Sequence, residues 1–403
     1  MDMAKAVLKR GREWPTVHMH PWIFSGAVLR VEGAPQAGDE IDVVTEKGEL
    51  LGKGAYSPLS QIRVRMLSYG KGGVDIARMV AESAAKRREL LDGGEVTAIR
   101  LVHGESDGIP GVVADWYDGW IVVQLSTAWA ERRKAGLAAA LMALPGVKGV
   151  YNRSDVDSRA REGLPVSGES VKGVLLGAEP PELIEIREWG MNLLVDPRNG
   201  HKTGFYIDQR EARRDVAALA RGRSVLNAFS YTGAFGVAAA LGGAKSVVNL
   251  DLSEGALALA ERNLKLNPAA AEAAASGACP FECIKADVFK ALRRFRDEGR
   301  TFDLIILDPP KFADTKAQLM RAARGYKDIN LLAMKLLSPG GILATFSCSG
   351  AMDEAFFSTV LREAAFDAGR DFSIIGRTRQ ACDHPVRLAF PEGLYLKGFI
   401  LRQ

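Results

Sequence analysis

The residues of this chain that could do chemistry stand just behind short apolar runs in its second half. Behind the run 224–229 come Ser230, Tyr231, Thr232, Gly233, Ala234, Phe235 and Gly236. The run 246–251 ends on the carboxylate of Asp251, eighteen residues beyond Gly233. Asp287 follows the run 281–286, and Asp308 follows the run 302–307. A glycine such as Gly233 lets backbone approach a ligand closely. A carboxylate at the end of the second strand can accept hydrogen bonds from both hydroxyls of a ribose. A second carboxylate can take an adenine amino group, and the third can sit near the reacting centre. The full GxGxxG pattern of dinucleotide sites is absent. Three acceptors without an anion cradle fit S-adenosylmethionine better than a nucleotide carrying a pyrophosphate. The expected cofactor contacts are therefore the glycine turn at Gly233 and the acids Asp251, Asp287 and Asp308.

Two further motifs sharpen the expectation. Asp308 is followed by Pro309, Pro310, Lys311 and Phe312. Two prolines make a rigid turn without backbone N–H groups, so the carbonyls near Asp308 face whatever lies at the strand end. A planar base could be held there by its polar edge, which makes Pro309, Pro310, Lys311 and Phe312 candidate substrate contacts. The second motif is Ser347-Cys348-Ser349-Gly350, behind the run 342–346. A lone cysteine is often only a small buried hydrophobe. At a strand end beside the Asp308 strand, it could instead be a nucleophile. C5 of cytosine is a poor nucleophile. A thiolate adding to C6 makes C5 enamine-like and able to take a methyl group. Asp308 could assist by hydrogen bonding a protonated N3. The base that would remove the C5 proton is not identified by sequence.

The elements that must position these residues follow from apolar periodicity. From residue 222 onward, near-continuous apolar strands alternate with helices, including one over 254–267. That pattern predicts a parallel sheet covered on both faces, a Rossmann-like α/β domain. The last strands, near 372–379 and 394–402, are expected to form an antiparallel pair. The alanine-rich stretch 269–278 reads as a loop. Upstream, residues 74–190 mix strands and helices without a βα repeat. They include a helix over about 74–92, a hairpin turning at Asp118-Gly119, a helix over 128–144 and a hairpin near Trp189-Gly190. This reads as a central α+β domain. The first 73 residues hold several short alternating strands, the signature of a small β-barrel. Lys9, Arg10 and Arg12 lie just ahead of Trp14 and Trp22. That mixture suits nucleic-acid backbone contact and base stacking, or else it is a solvated edge.

Composition bounds the rest. The chain has 403 residues, with 53 Lys and Arg against 49 Asp and Glu, a net charge of +4 that permits a nucleic-acid partner without demanding one. Four cysteines without a CxxC pair exclude a disulfide scaffold and argue against a zinc site, so no metal is expected. The start lacks the apolar core of a signal peptide. No run of about 18 apolar residues could span a membrane. A cytoplasmic protein is the expectation.

The chain also resembles a known family over nearly its whole length. The matching strings are His20 to Val28, Gly54 to Pro58, Gly104 to Gly111 and Gly200 to Gly204. Further strings are Asp308 to Phe312, Arg324 to Asn330, Phe346 to Gly350, Asp383 to Val386 and Pro391 to Gly398. They resemble bacterial 23S ribosomal RNA cytosine-C5 methyltransferases of the RlmI type. The resemblance implies an RNA-binding PUA domain (1–73), a linking domain (74–190) and a class I S-adenosylmethionine-dependent methyltransferase domain (191–403). It implies that the cofactor lies against the stretch 229–236, with Phe229 and Thr232 as contacts beside Asp251, Asp287 and Asp308. It also implies that the stretch 202–210 closes over the cofactor, with Tyr206 and Gln209 as contacts, and that Cys348 is the nucleophile. Many cytosine-C5 enzymes carry a second cysteine directly after the two prolines. Here Lys311 stands there, as in the RlmI type, which leaves product release unexplained. The resemblance also implies 23S ribosomal RNA as partner, and relatives of this kind often pair as homodimers. His384 follows Cys382 and Asp383. A loop histidine held by Asp383 is preferred to a base, and His18 and His201 are read the same way. Cys279 and Cys283 read as structural.

Two other functions remain in view. A guanine or exocyclic-amine RNA methyltransferase could use the same sheet and Asp-Pro-Pro turn, without a covalent adduct. A non-catalytic RNA-binding or ribosome assembly factor could retain only a vestigial pocket.

Overall fold

Strands whose alternate residues face opposite layers build the sheets of this protein. The computed structural model describes residues 3–312 and 316–403. The chain forms two compact units. The first is Met1–Ile186 with Val195–Ile207 and Asp383–Gly393; the second is Arg187–Leu194 with Asp208–Cys382 and Leu394–Gln403.

The first unit opens with six strands: β1 (Lys5–Leu8), β2 (Trp22–Phe24), β3 (Val28–Glu32), β4 (Glu40–Val44), β5 (Leu50–Tyr56) and β6 (Ile62–Tyr69). Their order is β2-β6-β5-β4-β1-β3, antiparallel except for β1 with β4. Ala6 and Leu8, Ile41 and Val43, and Val64 and Met66 share one buried core with Ile23. Each pair is two residues apart, so one face of each strand points inward.

A second sheet in this unit has the order β11-β10-β9-β8-β7. Its strands are β7 (Ala98–His103), β8 (Val112–Tyr117), β9 (Trp120–Leu125), β10 (Gly149–Arg153) and β11 (Lys172–Gly177). Asp118 and Gly119 turn β8 into β9 with φ of 46° and 90°. That is the left-handed pair a two-residue hairpin favours. The helix expected over 74–92 is two helices, Ile76–Ala85 and Arg88–Asp92. The break falls at Arg87, whose buried guanidinium turns inward to Asp107 at 2.8 and 3.0 Å. Trp22 Nε1 donates to Glu105 at 2.9 Å and Trp129 Nε1 to Glu40 at 3.0 Å, joining the two sheets. Trp22 is thus a structural anchor, whereas Trp14 is 65 % exposed and stacks on His18.

A buried charge network sews the two late segments into this unit. Arg100 donates to both oxygens of Asp115 at 2.7 and 2.9 Å. Thr203 donates to the same carboxylate at 2.5 Å. The Arg100 amide donates to Asp383 at 2.9 Å. Asp115 is fully buried.

A hairpin of β12 (Ile184–Glu188) and β13 (Met191–Val195) leads toward the second unit. There the main sheet holds β14 (Ser224–Ala228), β15 (Ser246–Asp251), β16 (Phe281–Lys285), β17 (Phe302–Leu307), β18 (Leu337–Ser347), β19 (Ser373–Arg379) and β20 (Lys397–Arg402). The order is β16-β15-β14-β17-β18-β20-β19. The first five are parallel, and β20 runs antiparallel to both β18 and β19. Leu226, Val248, Leu250, Ile305 and Leu307 face one core with helices Val288–Asp297, Leu319–Leu336 and Glu354–Ala368. Val225, Val247, Leu304 and Ile306 face the other, with helices Arg210–Leu219 and Ala234–Leu241. Both faces are therefore covered, as a parallel sheet requires. Residues within the stretch expected as a loop over 269–278 instead form a helix, Pro268–Ala275. Proline is tolerated in a first helical turn, and alanine has the highest helix propensity. Among the described residues no helix is long and apolar enough to cross a membrane.

Asp115→Ala is expected to destabilise the first unit by about 3–5 kcal/mol, because it strands a buried guanidinium. Urea unfolding followed by tryptophan fluorescence reads this, since Trp14, Trp22, Trp116, Trp120 and Trp129 all lie in that unit. An unchanged midpoint would show that Arg100 does not depend on Asp115.

Candidate active site

The strand order of the second unit reverses at β14, with β15 on one side and β17 on the other. Ligands of open α/β sheets bind outside the carboxyl ends at such a point. The loop leaving β14 is unusual. Phe229 and Tyr231 have φ of 60° and 48°, and Gly233 has 73°. Left-handed backbone at a non-glycine residue costs about 1–3 kcal/mol and persists only where the surroundings enforce it. Here the Ser230 amide donates to the Leu250 carbonyl at 3.1 Å, and the Tyr231 amide to Asp251 Oδ2 at 2.8 Å. A Cβ at Gly233 would come 2.5 Å from Ala260 Cβ, and one at Gly236 would collide with the Asn249 side chain. Both glycines let the loop and the helix Ala234–Leu241 lie close on their neighbours.

Asp251 closes β15 and holds two amides, Tyr231 on Oδ2 and Ser253 on Oδ1 at 2.9 Å. A carboxylate has about four acceptor positions, so capacity remains for a ligand's hydroxyls. Asp287 is exposed and caps the helix Val288–Asp297, accepting from the Lys290 amide at 2.9 Å. Asp308 follows β17 and accepts from Gln209 Nε2 at 3.0 Å. Gln209 is 2 % exposed. Among the described residues, Gln209 Oε1, Ser230 Oγ and Thr232 Oγ1 are buried without a hydrogen-bond partner. An orphaned buried polar atom costs about 1–3 kcal/mol, so three of them flanking one sheet edge call for a polar ligand. Tyr206 belongs to the first unit; its hydroxyl lies 3.1 Å from His201 Nδ1, and the Lys202 ammonium sits 4.3 Å over its ring.

The second half of the site is at the ends of β17 and β18, which are hydrogen-bonded neighbours. Pro309 is buried, Pro310 and Lys311 are exposed, and Phe312 is half-buried. Cys348, half-buried, follows Ser347 at the end of β18. Tyr326 was not singled out from sequence, yet it links these parts. Its ring lies 4.7 Å from that of Phe312, and its hydroxyl is 3.0 Å from Ser347 Oγ. Burial pushes the phenol well above its usual range, and the charges of Cys348 and Asp308 push it further. Tyr326 therefore stays a neutral hydrogen-bonding group beside both. Its only sequence signal was its place in the string Arg324 to Asn330. His384 lies elsewhere, buried in the first unit with Nδ1 2.9 Å from Asp383. Burial, aided by the charges of Glu261 and Glu282, pushes Cys283 up to about 11, which keeps it a neutral thiol.

A two-sided parallel sheet with a strained glycine loop and carboxylates at its reversal point is the architecture of an S-adenosylmethionine-dependent methyltransferase, and residues 99–385 match that family. Residues 7–69 match the PUA-like domain. The chain is 47 % identical over 402 residues to ribosomal RNA large subunit methyltransferase I of Enterobacter sp. (strain 638), with 99 % of each covered. It is 46 % identical, at the same coverage, to the protein of that name from Escherichia coli O139:H28 (strain E24377A / ETEC). The chain belongs to the ribosomal RNA large subunit methyltransferase I family. In fold it is similar to SMU.776, solved in complex with SAH, at TM-score 0.83 and 22 % identity, covering 99 % of this chain and 100 % of that one.

The donor set fits S-adenosylmethionine. Asp251 offers acceptors for ribose hydroxyls, and the orphaned atoms of Gln209, Ser230 and Thr232 offer partners for the polar ends of the cofactor. Asp251→Ala is expected to weaken cofactor binding by about 1–3 kcal/mol, measured by calorimetry. Unaltered affinity would remove Asp251 from the site.

Proposed function

We propose that the protein methylates C5 of a cytosine in large-subunit (23S) ribosomal RNA, with Cys348 as nucleophile and Asp308 as its electrostatic partner. The observation that carries this reading is the placement of Cys348 and Asp308 at the ends of adjacent strands β18 and β17, with Tyr326 beside both. The name of the relatives supports a ribosomal RNA substrate.

The chemistry follows from what each side chain can do. The Cys348 thiolate adds to C6 and raises electron density at C5. Asp308, oriented by Gln209 at 3.0 Å, hydrogen bonds the protonated N3 and so favours that addition. Bound S-adenosylmethionine supplies an electrophilic methyl group. Removal of the C5 proton then restores the aromatic ring and releases the thiolate. Pro309 and Pro310 limit the backbone donors near the base, while Lys311 and Phe312 offer it a charge and an apolar face. Phe229, Thr232, Gly233, Asp251 and Asp287, with Gln209, are the cofactor contacts of this reading within the second unit. In this reading residues 1–73 bind RNA, residues 74–190 link, and the second unit, which holds Asp251, Asp308 and Cys348, carries the reaction. Lys9, Arg10, Arg12 and the exposed Trp14 form the basic and aromatic edge available to RNA.

Nucleoside mass spectrometry of ribosomal RNA from cells lacking the enzyme tests the reading. Incubation with S-adenosylmethionine and the protein is expected to raise 5-methylcytidine. Cys348→Ala is expected to abolish that gain, a fall of at least about 100-fold, while calorimetry shows cofactor affinity unchanged. Full turnover by Cys348→Ala would overturn the nucleophile. A gain in a methylguanosine would favour the exocyclic-amine or guanine reaction instead.

A further inference from the structure

Lys397 is the first residue of β20, opposite Ser347 on one side and Arg379 on the other. It is 4 % exposed and, among the described residues, forms no ion pair with a carboxylate. Its Nζ donates to the carbonyls of Ser349 and Met352, both at 2.6 Å. The loop that carries Cys348 is thereby folded around a buried ammonium. Carbonyl dipoles only partly compensate such a charge, so it favours a negative group nearby.

The groups acting on Lys397 are few. Burial pulls its ammonium down to about 8; the charges of Cys348, Asp353 and Glu354 hold it up, and Lys311 opposes them. Glu354 is already engaged by Arg377 and Arg379 at 3.2 and 3.3 Å. Asp353 caps the helix Glu354–Ala368 through the Phe356 amide at 2.7 Å. Cys348 is the remaining source of negative charge on the loop that Lys397 holds. Around Cys348 itself stand Tyr326, a neutral phenol, and Asp308, whose charge acts on the same phenol.

We propose that Lys397 is a positioning residue for the reaction: its buried ammonium fixes the loop 348–352 through two carbonyls and stabilises the Cys348 thiolate. This rests on the reading of Cys348 as nucleophile. A cation beside a thiol lowers its pKa and enlarges the reactive thiolate fraction. The support is present while Lys397 is protonated, below about 8.

The test is alkylation of Cys348 by iodoacetamide, followed by peptide mass spectrometry on the full chain from about pH 5 to about pH 10. Exposed Cys382 serves as an internal reference. The Cys348 midpoint is expected below the ordinary cysteine value of about 8.5. Lys397→Met should raise it by about one unit, slowing alkylation at neutral pH roughly tenfold, and should lower kcat with little change in the KM for S-adenosylmethionine. Lys397→Arg should recover most of both. A Cys348 midpoint that Lys397→Met leaves in place overturns the proposal. So does a wild-type midpoint at or above the ordinary value, which keeps the test decisive if Lys397→Met does not fold. Full 5-methylcytidine formation by Cys348→Ala would sink the nucleophile reading on which the proposal rests. An inactive Cys348→Ala with an unmoved midpoint in Lys397→Met would sink only the role of Lys397.

Discussion

A parallel strand buried on both faces can present polar chemistry only where it ends. In β14, β15, β17 and β18 nearly every interior side chain is spent on one of two apolar cores. Polar exceptions inside the sheet are few, and one pair is joined directly, as Asn227 donates to Asn249 at 2.9 Å. The reversal of strand order at β14 then gathers the productive ends along one edge. Asp251, Asp308 and Cys348 are each the first or last residue at such an end. The placement of these candidate residues is therefore a consequence of how the core of this unit is packed.

The loop after β14 shows how strain is maintained there. Phe229 and Tyr231 hold left-handed backbone that neither side chain favours. The Asp251 carboxylate grips the Tyr231 amide, and Asn263 donates to the Thr232 carbonyl at 2.8 Å. A carboxylate suited to ribose hydroxyls is thus also the brace of the loop beside it. In the proposed reading, loss of its charge would disturb both, coupling cofactor binding and loop geometry through one side chain. In the first unit the same economy is seen in Asp115, which orders Arg100 and Thr203 together. A buried pair of this kind adds little net stability, but breaking one half is costly.

Much of this was legible in the sequence because it depends on local pattern. Alternating runs marked the N-terminal strands, near-continuous apolar runs marked those of the second half, Asp118-Gly119 marked its hairpin, and acids behind strands marked the edge. What escaped depends on tertiary context. The break at Arg87 follows from an inward ion pair with Asp107, twenty residues away. The helix Pro268–Ala275 was hidden by alanines, which carry no amphipathic signal. Asp287 was legible as an acid behind a strand, but not as a helix cap that spends an oxygen on the Lys290 amide. Tyr326 and Lys397 sit within apolar surroundings, and only their partners show why a polar group is there.

Those two buried groups make the end of β18 different from the other strand ends. Ser347, Tyr326 and Lys397 are each under 5 % exposed, and the hydrogen bonds of their side chains run to one another, to the Phe312 backbone or to the loop around Cys348. In so poorly solvated a setting electrostatic interactions are stronger than in water. A neutral phenol adds no charge, whereas an ammonium adds one that solvent screens little. On the proposed reading of Cys348 as nucleophile, the charge that favours its thiolate is that of Lys397. A cation on one side favours the thiolate before substrate arrives, while a carboxylate is better placed against a protonated ring nitrogen once it has. In the proposed reaction the sulfur is an anion at the start and again at the end, so an ammonium that holds the loop of Cys348 serves both stages.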